Sequence, residues 1–163
     1  MSDSNDNPIE EALDGVIDGA TDEVITTINN AHDFTLTYNP VNNKVYSGGY
    51  GRCINIIDGT TDSIISTIAI SSGKPYSLLY NPITNTIFCA YFYDAVYPPQ
   101  DAVIVIDGAS DEVLADFTIE SMVWAYGSFG GISSPRKALL LDSLNNIVYL
   151  NHYSSSKISV IDG

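Results

Sequence analysis

The chain has 163 residues, of which 45% are hydrophobic, and its 20 acidic and six basic residues give it a formal charge of −14. This composition excludes a disordered chain and is sufficient for one globular domain with a core. The negative charge makes nucleic acid and anionic membranes poor partners, and no apolar stretch approaches the roughly 20 residues that span a bilayer. We expect the charge to serve solubility; a partner or matrix that carries cations is the alternative.

Residues 1–14, MSDSNDNPIEEALD, are polar and acidic. They lack the basic start and the apolar centre of a signal peptide. The sequence therefore predicts an acidic tail over residues 1–14 and a single domain over residues 15–163.

Two phrases alternate along this domain. The first phrase is written GVIDGATDEVITTI from Gly15, CINIIDGTTDSIISTI from Cys53, VIVIDGASDEVLADFTI from Val103, and ISVIDG up to Gly163. The second is written YNPVNNKVY from Tyr38, YNPITNTIF from Tyr80, and LDSLNNIVY from Leu141. A full unit holds four strand-like runs, in the first case FTLTY, KVYSGGY, CINIID and SIISTIAI. With no helical period in the chain, this pattern predicts four-stranded antiparallel meanders at intervals of about 40 residues.

Tight turns connect the predicted strands. Asn39 can hydrogen-bond to its own backbone while Pro40 presets φ for a type I turn. Asp58 can make the same kind of bond, and Gly59 is expected to take a positive φ.

The alternation of VIDGxTDxVxxTI with YNPxxNxVY resembles the YVTN-type β-propeller repeats of archaeal and bacterial surface-layer and secreted proteins. The third unit departs from the pattern, since LDS replaces YNP. The resemblance implies propeller blades, an extracellular or cell-surface location, and a binding or structural role without a shared catalytic set.

Three blades do not make a ring, because propellers usually have four to eight. The chain is expected to begin with a lone outermost strand, Glu23 to Ile28, and to end with a third strand, Ile158 to Ile161, that lacks such a partner. We therefore expect either a piece of a larger protein or a homodimer in which two chains exchange these strands and close a six-bladed ring. A filament or surface layer built by the same exchange is a further alternative.

Two connections are enlarged, at residues 91–100 and 121–136, and we expect both on one face of the molecule. Aromatic side chains concentrated there suit a carbohydrate or protein ligand, although the rings can instead pack the two loops onto each other. The candidate ligand-binding residues are Tyr91, Tyr93, Tyr97, Trp124, Tyr126, Phe129, Arg52 and His152.

Catalytic and metal-binding signals are sparse. His32 and His152 lack neighbouring ligand residues and are expected in surface loops, so no metal and no cofactor are predicted. Cys53 and Cys89, outside any CxxC motif, are expected to be small buried residues. The sequence favours a non-catalytic module. The alternative, a propeller-type lyase or hydrolase, requires inward-facing histidine, arginine or carboxylate groups that the pattern does not reveal.

Overall fold

The structure is a computed structural model that describes residues 15–31, 34–93, 95, 100–119, 138–152 and 157–163. Within these ranges the chain forms thirteen strands in four antiparallel sheets and no helix, which confirms the all-β prediction. No described segment forms a helix long and apolar enough to cross a membrane.

The strands are named in chain order. They are β1 (Gly15–Ile17), β2 (Val24–Thr27), β3 (Thr35–Asn39), β4 (Lys44–Gly48), β5 (Cys53–Asp58), β6 (Ser63–Ala69), β7 (Gly73–Asn81), β8 (Thr86–Tyr93), β9 (Gln100–Asp107), β10 (Val113–Ile119), β11 (Leu139–Asp142), β12 (Ile147–Asn151) and β13 (Ile158–Asp162). We call β1–β2 the N-terminal hairpin, β3–β6 the first sheet, β7–β10 the middle sheet and β11–β13 the last sheet. In every sheet the spatial order follows the chain order. The first and middle sheets are four-stranded meanders as predicted, and the last sheet is a meander of three strands.

The segment expected to be a lone strand is already paired. β2 is hydrogen-bonded to β1, so the expectation of an unpaired first strand is wrong. The pairing Ile17↔Val24 repeats the registers Ile57↔Ile64 and Ile106↔Val113 of the first and middle sheets. The short phrase GVID is therefore enough to supply β2 with a partner in its own chain.

The middle sheet is covered on both faces. Because side chains alternate along a strand, Ile87 and Cys89 of β8 join a buried cluster with Ile54 of the first sheet. Phe88 and Ala90 point the other way, into a second buried cluster. The partners of that second cluster in the last sheet are Leu139, Val148 and Leu150. The three sheets thus stack face to face, with two cores between them.

The tight turns follow the predicted mechanism with one correction. Val41 N–H donates to Asn39 Oδ1 at 2.9 Å, and Thr60 N–H donates to Asp58 Oδ1 at 2.8 Å. The expected positive φ at Gly59 is wrong, because none of the described glycines has one and Asp62 takes the left-handed conformation in this turn, with φ 52°. Gly59 serves close approach instead, since an added Cβ would lie 2.7 Å from Asn43 Oδ1.

The stacked sheets have two different ends. The turn end carries the tight turns at residues 40–43, 59–62, 82–85, 108–112 and 143–146. The loop end is the opposite end, where the connections from β4 to β5 and from β6 to β7 lie and where β8, β10 and β12 end. The two ends differ in the side chains that they carry: asparagine and aspartate predominate at the turn end, and exposed aromatic and basic side chains lie at the loop end.

Candidate functional site

Asparagines at the turn end tie each sheet to the next. Asn39 is fully buried at the end of β3, and its Nδ2 donates to Gly108 O and to Asn85 Oδ1 of the middle sheet, both at 3.1 Å. Asn81, its repeat equivalent, donates to Asn146 Oδ1 of the last sheet at 2.8 Å. The turn asparagine therefore has two tasks: it shapes its own turn and it holds the neighbouring sheet.

A charged contact adds to this coupling between the first and middle sheets. Asp111 accepts a hydrogen bond from Tyr46 O–H at 2.6 Å and forms an ion pair with Lys44. Burial, and then the adjacent Asp111 carboxylate, raise the pKa of Tyr46 well above its usual value, so the phenol remains a donor. Phe88 takes the place of Tyr46 in the next unit and packs in the second core instead.

Hydroxyl groups provide a second repeated link, near the loop end. Thr35 Oγ1 accepts the backbone N–H of Leu78 at 2.8 Å, and Ser77 Oγ accepts that of Leu139 at 3.3 Å. Thr35 and Ser77 hold equivalent positions in their repeats, as do Leu78 and Leu139. Ala138 occupies this position in the last sheet and has no hydroxyl to offer.

An exposed aromatic group lies at the loop end. Tyr50 is 53% exposed, its ring centroid lies 4.2 Å from that of Phe34, and Lys74 Nζ lies 5.1 Å from the centre of its ring. Arg52, a predicted site residue, follows in the same connection with φ 53° and is exposed. Tyr50, Phe34 and Lys74 were not among the predicted site residues.

The two predicted tyrosines of β8 differ in accessibility. Tyr91 is buried in the first core, and its hydroxyl donates to Asp116 at 2.7 Å. Desolvation, followed by this hydrogen bond, raises its pKa well above the usual value for tyrosine. Tyr93 is half-buried and packs edge-on against Tyr91, with 6.4 Å between the ring centroids. Of these two tyrosines, Tyr93 is therefore the one that has exposed surface for contact with a ligand.

His152 lies inside the protein, so its predicted position in a surface loop is wrong. Its side chain and that of Asp101 are each only 2% exposed, and His152 Nδ1 lies 2.7 Å from Asp101 Oδ2. His152 Nε2 lies 2.7 Å from Ser159 Oγ, and Tyr76 O–H donates to Asp101 Oδ1 at 3.0 Å. The buried partner Asp101 also raises the pKa of Tyr76, in addition to the larger effect of burial. We call Asp101, His152, Ser159 and Tyr76 the buried polar cluster.

A simple pattern in the sequence could have found this cluster. His152 continues the alternation of Val148 and Leu150, and Asp101 continues that of Val103 and Val105. Residues two apart in a strand share a face, so both polar groups belong on the faces that form the second core. A histidine and a carboxylate at such positions require partners, because buried polar groups are almost always hydrogen-bonded.

The other predicted site residues lie outside the described part of the chain. These are Tyr97, Trp124, Tyr126 and Phe129, together with most of the two enlarged connections, the predicted tail 1–14 and His32. Their roles stay predictions.

The basic residues are segregated. Lys44 lies at the turn end, whereas Arg52, Lys74 and Lys157 lie at the loop end. The remaining two, Arg136 and Lys137, belong by sequence to the connection between β10 and β11 and lie outside the described residues. The acidic turns around Asp58, Asp107 and Asp142 occupy the opposite end, so three of the four basic residues that the structure describes lie at the loop end.

Comparison with known proteins does not assign the chain to a family. No family model matches the chain, and no curated protein matches it either. Among the described residues, no group of three or more histidine, cysteine, aspartate or glutamate side chains is placed to hold a metal ion. Cys89 is buried as predicted, Cys53 is half-buried, and both are free thiols.

Proposed function

We propose that the chain is a YVTN-type β-propeller module in which the first, middle and last sheets are blades and two chains complete a six-bladed ring. The observation that carries this proposal is the exposure, on the two outer sheets, of residues whose repeat equivalents are buried between sheets. A ring would cover both outer faces, because each last sheet would pack on the first sheet of the other chain.

The first sheet has an open apolar face. Leu36 is 66% exposed there and Tyr38 lies beside it, also exposed. Their equivalents in the middle sheet, Leu78 and Tyr80, pack in the first core. This face therefore has the residues of a blade that receives a preceding blade.

The last sheet has a matching open face on its other side. Ile158 is 65% exposed, whereas its equivalents Ile54 and Val103 are fully buried. Leu140 is likewise exposed, and its equivalent Leu79 packs against the second core. Two apolar faces built from the same repeat positions are complementary in composition, which supports association of like chains.

Strand exchange is compatible with the pairing of β1 and β2. β13 contains the sequence VID, which β1 forms together with the next residue, Asp18; β13 is five residues long, whereas β1 has three. Replacement of β1 by β13 of the other chain therefore preserves the register beside β2 and allows a longer ladder. It also covers the open edge of β13, and such edges are otherwise sites of aggregation.

We further propose that the loop end binds a carbohydrate, with acidic sugars favoured, and that the module acts at the cell surface or outside the cell. Tyr50 offers an exposed ring, Tyr93 a partly exposed one, and Arg52 and Lys74 offer positive charge. Aromatic rings stack on the apolar faces of ligands, and cations pair with carboxylates. An acidic protein segment is the other ligand that this chemistry accommodates.

The test is an array of neutral and acidic oligosaccharides, followed by titration of each ligand found. Tyr50→Ala is expected to weaken binding by about 2 kcal/mol or more, as for an aromatic anchor, and Trp124→Ala to have a similar effect. Tyr50→Phe is the matched control and should retain most of the affinity because it keeps the ring. Equal affinity of the Tyr50→Ala variant and the unmodified protein would contradict a site at this end.

A further inference from the structure

Three of the four members of the buried polar cluster lie in a fixed order. Asp101 lies on β9 of the middle sheet, His152 directly follows β12, and Ser159 lies on β13 of the last sheet. The imidazole bridges the other two, with 2.7 Å from Nδ1 to Asp101 Oδ2 and 2.7 Å from Nε2 to Ser159 Oγ. A carboxylate, an imidazole and a hydroxyl in this order form the relay that activates serine nucleophiles on several unrelated folds.

The chemistry of the groups fixes the protons. An ionised carboxylate only accepts hydrogen bonds, so Nδ1 carries the proton and donates it to Asp101. With this proton on Nδ1, Nε2 is left to accept the hydrogen bond of the Ser159 hydroxyl. Tyr76 O–H holds the second oxygen of Asp101 at 3.0 Å, which keeps the carboxylate oriented toward the ring. His152 is thus set to act as a general base for Ser159.

The three residues of the relay differ in solvent exposure, as a nucleophile and its base require. The side chains of Asp101 and His152 are each 2% exposed, whereas Ser159 is partly exposed. Ser159 also belongs to β13, the edge strand of the last sheet. The base and its carboxylate are therefore shielded from water, while Ser159 keeps part of its surface exposed on an edge strand.

The register of β13 supplies a hydrogen-bond donor beside this hydroxyl. His152 N–H donates to Lys157 O, and Gly163 N–H donates to Asn146 O, so the bonded pairs of β12 and β13 include Leu150↔Ser159. Val160, the next residue, is in a non-bonded pair, and its N–H points to the open edge. A backbone N–H adjacent to the nucleophile is a donor for the oxyanion formed in acyl transfer.

We propose that Ser159 is an acyl-accepting nucleophile and that its substrates are carboxylic esters. Ser159 Oγ attacks the ester carbonyl carbon as its proton passes to His152 Nε2, and Val160 N–H stabilises the resulting oxyanion. The carbon–oxygen bond to the alcohol then breaks, the alcohol leaves with the proton from Nε2, and the acyl group remains on Ser159. Water, deprotonated by His152, releases the acid and restores the hydroxyl.

Esters are favoured because alkoxides are better leaving groups than amide anions and one identified oxyanion donor gives limited stabilisation.

This activity goes beyond the binding role proposed above and does not depend on the ring. Strand exchange at β13 would use the same N–H of Val160. The test is therefore made separately on any monomer and dimer fractions of the full chain.

The experiment uses a fluorophosphonate probe, with intact mass and peptide mapping as readouts, and p-nitrophenyl acetate to follow turnover. We expect one label per chain, located at Ser159, in at least one size fraction. Ser159→Ala should abolish the label, whereas the control Ser63→Ala, at an exposed serine of β6, should leave it unchanged. Asp101→Asn should slow labelling by up to about four orders of magnitude, because it favours the wrong imidazole tautomer.

Absence of label at Ser159 in every size fraction of the unmodified protein overturns the proposal. Labelling at other serines with Ser159 unmodified overturns it equally. In either case the buried polar cluster serves only to join the middle and last sheets. Both outcomes are measured on the unmodified protein, so neither depends on whether Asp101→Asn folds.

Discussion

The turn asparagines and aspartates shape the tight turns, and Asn39 and Asn81 also join neighbouring sheets. Their local task could be predicted, because an Asn before Pro or an Asp before Gly has few better uses than to bond the backbone two residues on. Their second task could not be predicted. The bond from Asn39 to Gly108 crosses 69 residues of sequence and exists only because particular faces stack. Local chemistry is visible in a single sequence, whereas the identity of a distant partner is not.

Asn39→Asp tests the second task alone. The carboxylate still accepts Val41 N–H but no longer donates, and it is placed against the oxygens of Gly108 and Asn85. We expect a loss of about 1–3 kcal/mol in the free energy of unfolding at neutral pH, measured by urea denaturation. Relative to the unmodified protein at the same pH, the loss should shrink in acid, where the carboxyl group regains a proton to donate. An unchanged unfolding midpoint at neutral pH would contradict the inter-sheet role of Asn39.

The turn aspartates predict a pH dependence of stability. Backbone N–H donors of Thr60 and Thr61 lower the pKa of Asp58, and those of Ser110 and Ala109 lower the pKa of Asp107, from the ordinary value of 3.8. Because the folded pKa lies below the unfolded one, this stabilisation is complete above the unfolded pKa and is lost as the pH falls through the folded pKa. Asp58→Asn keeps the oxygen that accepts the turn hydrogen bonds but does not titrate. We therefore expect the free energy of unfolding of this variant, measured by urea denaturation, to fall less steeply as the pH is lowered. An equally steep fall for the variant and the unmodified protein would contradict a stabilising role of the ionised Asp58.

At the scale of elements, hydrophobic alternation and repetition predicted the sheets well. The four runs of the first unit match β3–β6 within two residues at each end. β1 was missed because three residues of GVI carry little pattern by themselves. The buried polar cluster was missed because alternation was applied to apolar residues only, although His152 and Asp101 lie in phase with the core.

Gly73 at the start of β7 tests how tightly a strand meets its neighbour. A Cβ there would lie 2.3 Å from Tyr91 Cδ2 and 2.5 Å from Phe92 O, and the backbone oxygen cannot readily move. We expect Gly73→Ala to destabilise the protein by about 1–3 kcal/mol in thermal or urea unfolding. Gly19→Ala is the matched control, since nothing lies within 4 Å of its added Cβ. Equal stability of the two variants would mean that β7 and β8 are not packed as described.

At the scale of the whole molecule, the proposed ring rests on two outer faces that carry the same repeat positions as the faces buried between sheets. The resemblance to propeller repeats predicted the stacking of like units, but not how the last unit differs. Ala138 and Asp142 replace the hydroxyl and the asparagine that link the other sheets. Asp142 already accepts bonds from Asn145 and Leu144, and the Asn145 amide is the larger cause of its lowered pKa. It has no proton to donate to a following sheet.

Asp142→Asn should therefore strengthen association of the chains. The amide can donate to the turn of the next first sheet, as Asn39 and Asn81 do within the chain. It also removes a negative charge from a contact between two acidic molecules. We expect a lower dimer dissociation constant by sedimentation at several concentrations. A weaker dimer, or no change, would mean that the last sheet does not pack on a first sheet.

Multi-angle light scattering of the full chain at micromolar concentration tests the proposed ring most directly. A ring of two chains predicts a single species of twice the 17.6 kDa chain mass, because two arcs of three sheets close it. Strand exchange also predicts that deletion of residues 1–30 abolishes this dimer and leaves an aggregating product. A stable monomer of 17.6 kDa would contradict the ring, and a series of growing masses would indicate an open filament instead.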